Sequence, residues 1–514
     1  MNILKSLISV GIMTLISRIF GFFRDVLIAH IFGASMFTDA FFIAFKIPNL
    51  LRRIFAEGAF YQSFIPILID YKSRKDKEYI QEFIRSTCGF TILVLTTFVI
   101  LGIIFSDYII FISAPGFSES SKKLQLASNL LKIMFPYILF ISLSSLCSSI
   151  LNSYNYFFIP SLSSSLLNIS IIVFSFFFSD YFEPSIISLA WSVMIGGFFQ
   201  LFYQFPHLYK IKMLVFPKIN FKNIGLIKVL KKMGPSTLGS CANQISLIFN
   251  TIFSSLLHSG SISWIYYADR LIEFPIGIIG VSLSTILFTS FSCSYSNNTQ
   301  SEYKILLNWG IRFGLILSLP ISVILFMFSK PLVIILFQYG KFTDFDVLMT
   351  QKALELYSFG LVSFILVKIL VSAFYSCQEV NIPMRISILT LFLTQLMNPF
   401  LIFYFQHSGL ALSCSIASWI NFFLLYWKLY QKGIINFKLN DFIFIFRLLI
   451  AVLVMTFFLI FMLYFIPSWK IGSFFDKIIR LFTILSISGI VYLIALHFLG
   501  IRLLNYSDKL FQKK

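Results

Sequence analysis

Apolar runs near the length of a bilayer recur from one end of the chain to the other, and this restricts the fold more than any other feature. A helix needs about 20 apolar residues to cross roughly 30 Å of hydrocarbon. Inside lipid the backbone must satisfy its own hydrogen bonds, which a helix does within one segment. Fourteen candidate spans lie near 5–31, 35–69, 87–106, 124–150, 160–179, 185–206, 234–257, 262–293, 305–329, 347–375, 384–405, 409–427, 442–466 and 478–500. The second is long for one span, and Pro48 in its middle predicts a kink. Hydrophobic residues make up 58% and charged residues 12%, against about 25% charged in an ordinary soluble domain. A soluble enzyme, a disordered chain and a disulfide scaffold are excluded. The expected fold class is an all-α polytopic membrane protein. Arg18 interrupts the first run and no small-residue cleavage site follows it, so it reads as a retained helix. The six cysteines are scattered without a C-x-x-C pair and read as packing residues.

The formal net charge of +19 would suggest nucleic acid in a soluble chain. Here the loops account for it. The N-terminus, even-numbered loops and C-terminus carry 22 Lys and Arg, and the odd-numbered loops carry 6. Cytoplasmic loops hold the excess of basic residues. The asymmetry therefore predicts both termini in the cytoplasm and an even number of spans, and no nucleic-acid partner is needed.

Four Gly and Pro pairs point to an internal repeat. Gly33 and Pro48 match Gly260 and Pro275 at an offset of 227 residues; Gly116 matches Gly340 at 224 and Pro160 matches Pro383 at 223. Six spans per copy is an even number, so both copies share one orientation, as in transporters that bind substrate between halves. The expected division is residues 1–217 for spans one to six, 218–436 for spans seven to twelve, and 437–514 for two further spans. Residues 207–232, with seven lysines, join the halves.

A charge at mid-membrane costs at least about 2.5–3.5 kcal/mol, yet charges crowd two windows, 18–57 and 269–273. They are Arg18, Arg24, Asp25, Asp39, Lys46, Arg52, Arg53 and Glu57, then Asp269, Arg270 and Glu273. Arg18 and Asp25 share a helix face at i, i+7, as do Asp39, Lys46 and Arg53. In the repeat Lys46 falls on Glu273. Buried ion pairs that lock the halves are one reading. A hydrated cavity for an anionic substrate is the other, and the Arg content favours it, because the guanidinium fork binds phosphate in a bidentate way and stays charged. Lone charges near span ends, among them Lys132, Arg312, Lys352 and Arg480, are expected to snorkel. Five dispersed histidines show no metal-ligand spacing, and there is no Walker A sequence. The chain thus reads as a transporter and not an enzyme, with no cofactor or metal. The run Gly-Ser-Ile-Ser at 260–263 resembles a hydrolase elbow only superficially, and Gly196-Gly197 reads as a helix-contact site.

The stretch SRIFGFFRDVLIAHIFGASMFTDAFFIAFKIPNLLRRIFAEGAFYQSFIP at 17–66 closely resembles the MurJ (MviN) family of lipid II flippases, in the MATE-like exporter superfamily. WIYYADRLIEFP at 264–275, FQYGKFTDFD at 337–346, MGP at 233–235 and FPYIL at 135–139 extend the resemblance over essentially the whole chain. It implies fourteen helices, two six-helix lobes and two extra C-terminal helices that form a groove for a lipid tail. It also implies transport of lipid II, an undecaprenyl-pyrophosphate-linked muropeptide, from the cytoplasmic to the periplasmic leaflet of the bacterial inner membrane. Arg18, Arg24, Arg52 and Arg270 are expected to bind the head group. Asp25, Asp39, Lys46, Arg53, Glu57, Asp269 and Glu273 are expected to gate or pair around the cavity, and Pro48 and Pro275 to bend their helices. Expected partners are lipid II, membrane lipids and, as a candidate, cell-wall synthesis machinery. Tyr61, Phe288-Thr289 and Cys377 depart from the family pattern. A cation-coupled drug or metabolite exporter of the same fold is the main alternative, and its more apolar or acidic cavity fits the Arg content poorly. A membrane scaffold using the charges only as ion pairs is the other.

Overall fold

The computed structural model describes residues 3–52, 59–74, 76–154, 156–296, 299–435, 439–465, 469 and 471–501. Within these the chain is helical and has no strand. Ten described helical segments are long and apolar enough to cross a membrane. Several helices outrun the apolar stretches that mark them. Lys77–Ile104 starts ten residues before its run, and its 28 residues span about 42 Å at 1.5 Å per residue. The surplus is the charged first turns, which hydration stabilises beyond the hydrocarbon. Ile224–Ser255 likewise begins early, with the Asn223 side chain accepting from Gly225 and Leu226 N–H at 2.9 and 3.2 Å as an N-cap.

The chain divides into two compact units, Met1–Ser263 with Tyr339–Phe342, and Trp264–Gln338 with Thr343–Lys514. One apolar core of the first gathers Phe64, Phe83, Leu146, Ile150 and Leu201. One core of the second joins Phe444, Leu448 and Met455 of helix Leu439–Phe465 to Ile484 and Tyr492 of Phe474–Phe498 and to Ile316 of Gln300–Met327. The Tyr492 hydroxyl donates to the Ile316 carbonyl at 2.8 Å. The other faces of these last helices leave Phe446, Phe457, Phe482 and Phe498 exposed, which suits hydrocarbon as the surrounding solvent. Gly197 permits close helix contact as expected, since a Cβ there would lie 2.5 Å from the Tyr137 ring.

The two glycines expected to correspond, Gly33 and Gly260, both lie in the first unit. Gly33 and Gly260 both take positive φ, +67° and +99°, just ahead of helices Met36–Arg52 and Ser261–Pro275. Only glycine adopts such turns without strain. Gly116 donates its N–H to Ser255 Oγ at 3.3 Å, while Lys341, beside Gly340, donates to the His30 carbonyl at 3.0 Å. Positions 30 and 255 differ by nearly the offset expected between Gly116 and Gly340, and in both cases a loop bonds to the end of a long helix.

Pro48 sits inside Met36–Arg52, and Ala59–Arg74 carries the rest of that long run. Pro275 ends its α-helix, and a π-helix, Ile276–Val281, follows before Ser282–Ser296 resumes. Proline cannot donate to the carbonyl one turn back, and the widened turn absorbs that loss. Arg312, expected to snorkel, has protein partners beside it. It pairs with Asp441 at 2.5 Å and lies 5.0 Å from the Phe444 ring centre, which ties Gln300–Met327 to Leu439–Phe465. Lys132 also has a partner, Asp107, at 3.7 Å. The Arg312–Asp441 pair is partly enclosed, whereas Asp107 beside Lys132 is exposed.

Candidate substrate and gating site

The first charged window is organised around Arg24, which is buried at 6% exposure on helix Ile3–Phe32. Its Nε and Nη2 both donate to Asp25 Oδ1, at 3.0 and 2.7 Å. Its Nη1 donates to Asn168 Oδ1 at 3.0 Å, and Asn168 in turn donates to the Ser17 carbonyl at 3.2 Å. A buried guanidinium needs both a counter-charge and hydrogen-bond acceptors. Asp25 supplies the first, and Asn168 supplies a neutral acceptor from helix Phe158–Phe177. Helical spacing put Arg18 on the face of Asp25; in the structure Asp25 takes its neighbour Arg24, and Arg18 is exposed.

Asp39 is equally buried but holds a different set of donors. Gly260 N–H reaches its Oδ2 at 2.6 Å; Ser263 N–H and Oγ reach Oδ1 at 2.9 and 2.6 Å. Thr38 Oγ1 also contacts Ser263 Oγ at 3.0 Å. The free N–H groups of a helix start carry partial positive charge, so a carboxylate there is stabilised without a cation. Among the described residues, Arg24 bonds Asp25 and Asn168, and Asp39 caps the turn at 260–263.

Further along Met36–Arg52, Lys46 Nζ donates to Thr251 Oγ1 at 3.1 Å, and Arg52 Nε donates to Asn49 Oδ1 at 2.9 Å. Arg53 and Glu57, expected to act together, lie outside the described residues, as does the side chain of Tyr61. In the second unit, Arg270 pairs with Glu273 at 2.7 Å, a half-exposed i, i+3 bridge. Its Nε and Nη2 also donate to the Tyr266 hydroxyl at 3.3 and 3.1 Å. Asp269 is half-buried on the same helix. The motifs at 264–275 and 337–346 meet: the Trp264 indole donates to Asp346 at 2.8 Å, and the Tyr267 and Phe337 rings are 5.0 Å apart.

Asn168, Ser263, Thr251 and Tyr266 were not singled out from sequence. A lone amide in the apolar run 160–179 was the available signal for Asn168. The run at 260–263, set aside as an elbow look-alike, is the turn that holds Asp39. The arrangement supplies cationic groups in three states of burial: Arg24 enclosed, Arg52 and Arg270 partly exposed, Arg18 exposed.

A family profile described as lipid II flippase MurJ matches residues 28–480. A probable lipid II flippase MurJ of Buchnera aphidicola subsp. Acyrthosiphon pisum is 64% identical over 509 residues, 99% of this chain and 100% of that one. The lipid II flippase MurJ of Burkholderia cenocepacia is 40% identical over 438 residues, 84% of this chain and 85% of that one. Among solved structures, a lipid II flippase MurJ in an inward closed conformation matches with a TM-score of 0.80 at 28% identity, over 98% of this chain and 99% of that one. An inward-facing multidrug resistance MATE family transporter of the MOP superfamily matches with a TM-score of 0.68 at 13% identity, over 83% of this chain and 98% of that one, a likeness of fold alone. The profile match and the full-length identities agree with the motifs at 17–66 and 264–275, and the chain belongs to the lipid II flippase MurJ family.

Proposed function

We propose that this multi-pass membrane protein translocates lipid II from the cytoplasmic to the periplasmic leaflet of the bacterial inner membrane, by alternating access and with both termini cytoplasmic. The observation that carries the reading is the concentration of guanidinium groups on membrane helices, with Arg24 held ready by Asp25 and Asn168. Lipid II presents a pyrophosphate and peptide carboxylates on a bulky polar head. Moving that head through hydrocarbon requires groups that replace its water, and Arg does so without losing its charge. Arg18, Arg24, Arg52 and Arg270 contact the head group in this reading.

The other charges serve the change of exposure. Asp39 seals the periplasmic side through the turn at 260–263, and Glu57 with Arg53 seals the cytoplasmic side. Asp25, Lys46, Asp269 and Glu273 hold or exchange partners as the cavity opens, and the helices bend at Pro48 and Pro275. The moving parts are the lobes 1–217 and 218–436, with helices of 437–514 forming a groove for the undecaprenyl tail. The drug-exporter alternative has only the shared fold in its favour.

The test is replacement of Arg18, Arg24, Arg52 and Arg270 one at a time by Ala, in cells depleted of every other lipid II flippase. Each change should abolish growth support while protein levels stay near normal, and Lys should rescue poorly where two-pronged contact matters. Growth with all four Ala variants would remove the head-group site.

A further inference from the structure

The segment joining the two halves of the repeat is held by its backbone while its side chains are left outside. Lys218 N–H donates to the Arg85 carbonyl at 3.1 Å, and the Gln81 amide donates to the Lys212 carbonyl at 2.8 Å. Gly89 lets the segment approach, since a Cβ there would collide with the Lys218 carbonyl. Phe90 meets Phe221 edge-on at 6.1 Å. Met213 is buried, but Tyr209, Leu214, Phe216, Ile219 and Phe221 are exposed, Phe216 at 91%. Lys210, Lys212, Lys218 and Lys222 alternate with them and are exposed too. No Asp or Glu occurs between Glu183 and Asp269.

Water disfavours five large apolar side chains side by side, and hydrocarbon disfavours four ammonium groups. A lipid headgroup zone takes both, with apolar groups dipping toward the acyl chains and lysines reaching phosphate. The docking register agrees. The contacts fall at Arg85 and Gly89, where helix Lys77–Ile104 passes from its charged start to the uncharged stretch ending at Ile104. That is the depth at which water gives way to hydrocarbon.

We propose that residues 209–222 form an interfacial strap seated on anionic phospholipid headgroups, in the cytoplasmic leaflet given the orientation proposed above. The four lysines supply the attraction, and Phe216 with its apolar neighbours supplies the insertion. The absence of acidic residues makes the strap complementary to an anionic bilayer and indifferent to a zwitterionic one. The inference concerns the surrounding lipid and holds whatever cargo crosses the protein.

The test uses the full chain, its native cysteines replaced, with Phe216→Cys carrying an environment-sensitive fluorophore. The protein is placed in nanodiscs of phosphatidylcholine alone or with about 30% phosphatidylglycerol, each containing a lipid spin-labelled near the headgroup. The expected result is blue-shifted emission and at least about twofold stronger quenching in the anionic discs. About 0.5 M salt should remove that difference, because it screens exposed charges within a few ångströms. Joint replacement of Lys210, Lys212, Lys218 and Lys222 by Gln should remove it as well, and the salt arm needs no variant. Water-like emission without quenching in both discs would overturn the strap. Equal quenching in both discs at low salt would overturn its selectivity for anionic lipid.

Discussion

At the scale of single residues, the buried charges Arg24 and Asp39 each met different partners. Arg24 has a carboxylate and an amide, while Asp39 has three donors from one helix start. Asn168 is the less obvious member, because it is a neutral amide that gives the guanidinium an acceptor from another helix. Replacing Asn168 by Ala leaves one edge of a buried cation without its acceptor, a loss of about 1.5–3 kcal/mol. Lower thermal stability in detergent and reduced transport are expected, with Gln restoring part of both. Asp39 offers a sharper test of gating. Ala29 is 0% exposed, so a cysteine there reacts with an impermeant thiol reagent only when the structure opens. Asp39→Asn removes the charge that the helix start stabilises and weakens the closed state alone. Labelling of the cysteine at 29 should rise several-fold. Unchanged labelling with intact transport would assign Asp39 to packing.

At the scale of elements, the proposed orientation follows from where the basic turns lie. The exposed loop residue Glu119 belongs to an odd-numbered loop, and Asp76 to an even-numbered one. In a chain freed of its native cysteines, Glu119→Cys should react with an impermeant reagent from outside intact cells, and Asp76→Cys only after permeabilisation. The reverse pattern would invert the topology and with it the direction of transport. Helix positions were legible because apolar length is a strong signal, whereas helix ends were not. Hydropathy stops at the hydrocarbon boundary, but the Lys77–Ile104 helix continues through charged turns that hydration supports. The π-helix after Pro275 was only partly legible: proline announces a disturbed turn, and the neighbouring packing selects its form.

At the scale of the whole molecule, the family and fold were readable from sequence, and the pairing of charges was not. Arg24 and Asp25 stood out because charge is costly in lipid. Asn168, the partner of Arg24, and Ser263, the partner of Asp39, stayed hidden for two different reasons. A single amide has no periodicity, and the donors at 260–263 include backbone groups that every sequence carries. Alternating access adds a demand on these contacts, since those that close one side must be strong enough to hold it and weak enough to yield.

The central claim is that these charges carry a polar, anionic lipid head group between leaflets. Its most direct test is a leaflet-resolved assay of lipid II in cells that hold this chain as their only flippase and can be depleted of it. Depletion should leave lipid II accumulating in the cytoplasmic leaflet, protected from an externally added lipid II-cleaving enzyme. Re-expression of the wild-type chain should restore its exposure, and Arg24→Ala should not. Lipid II that remains cleavable from outside after depletion would contradict the account.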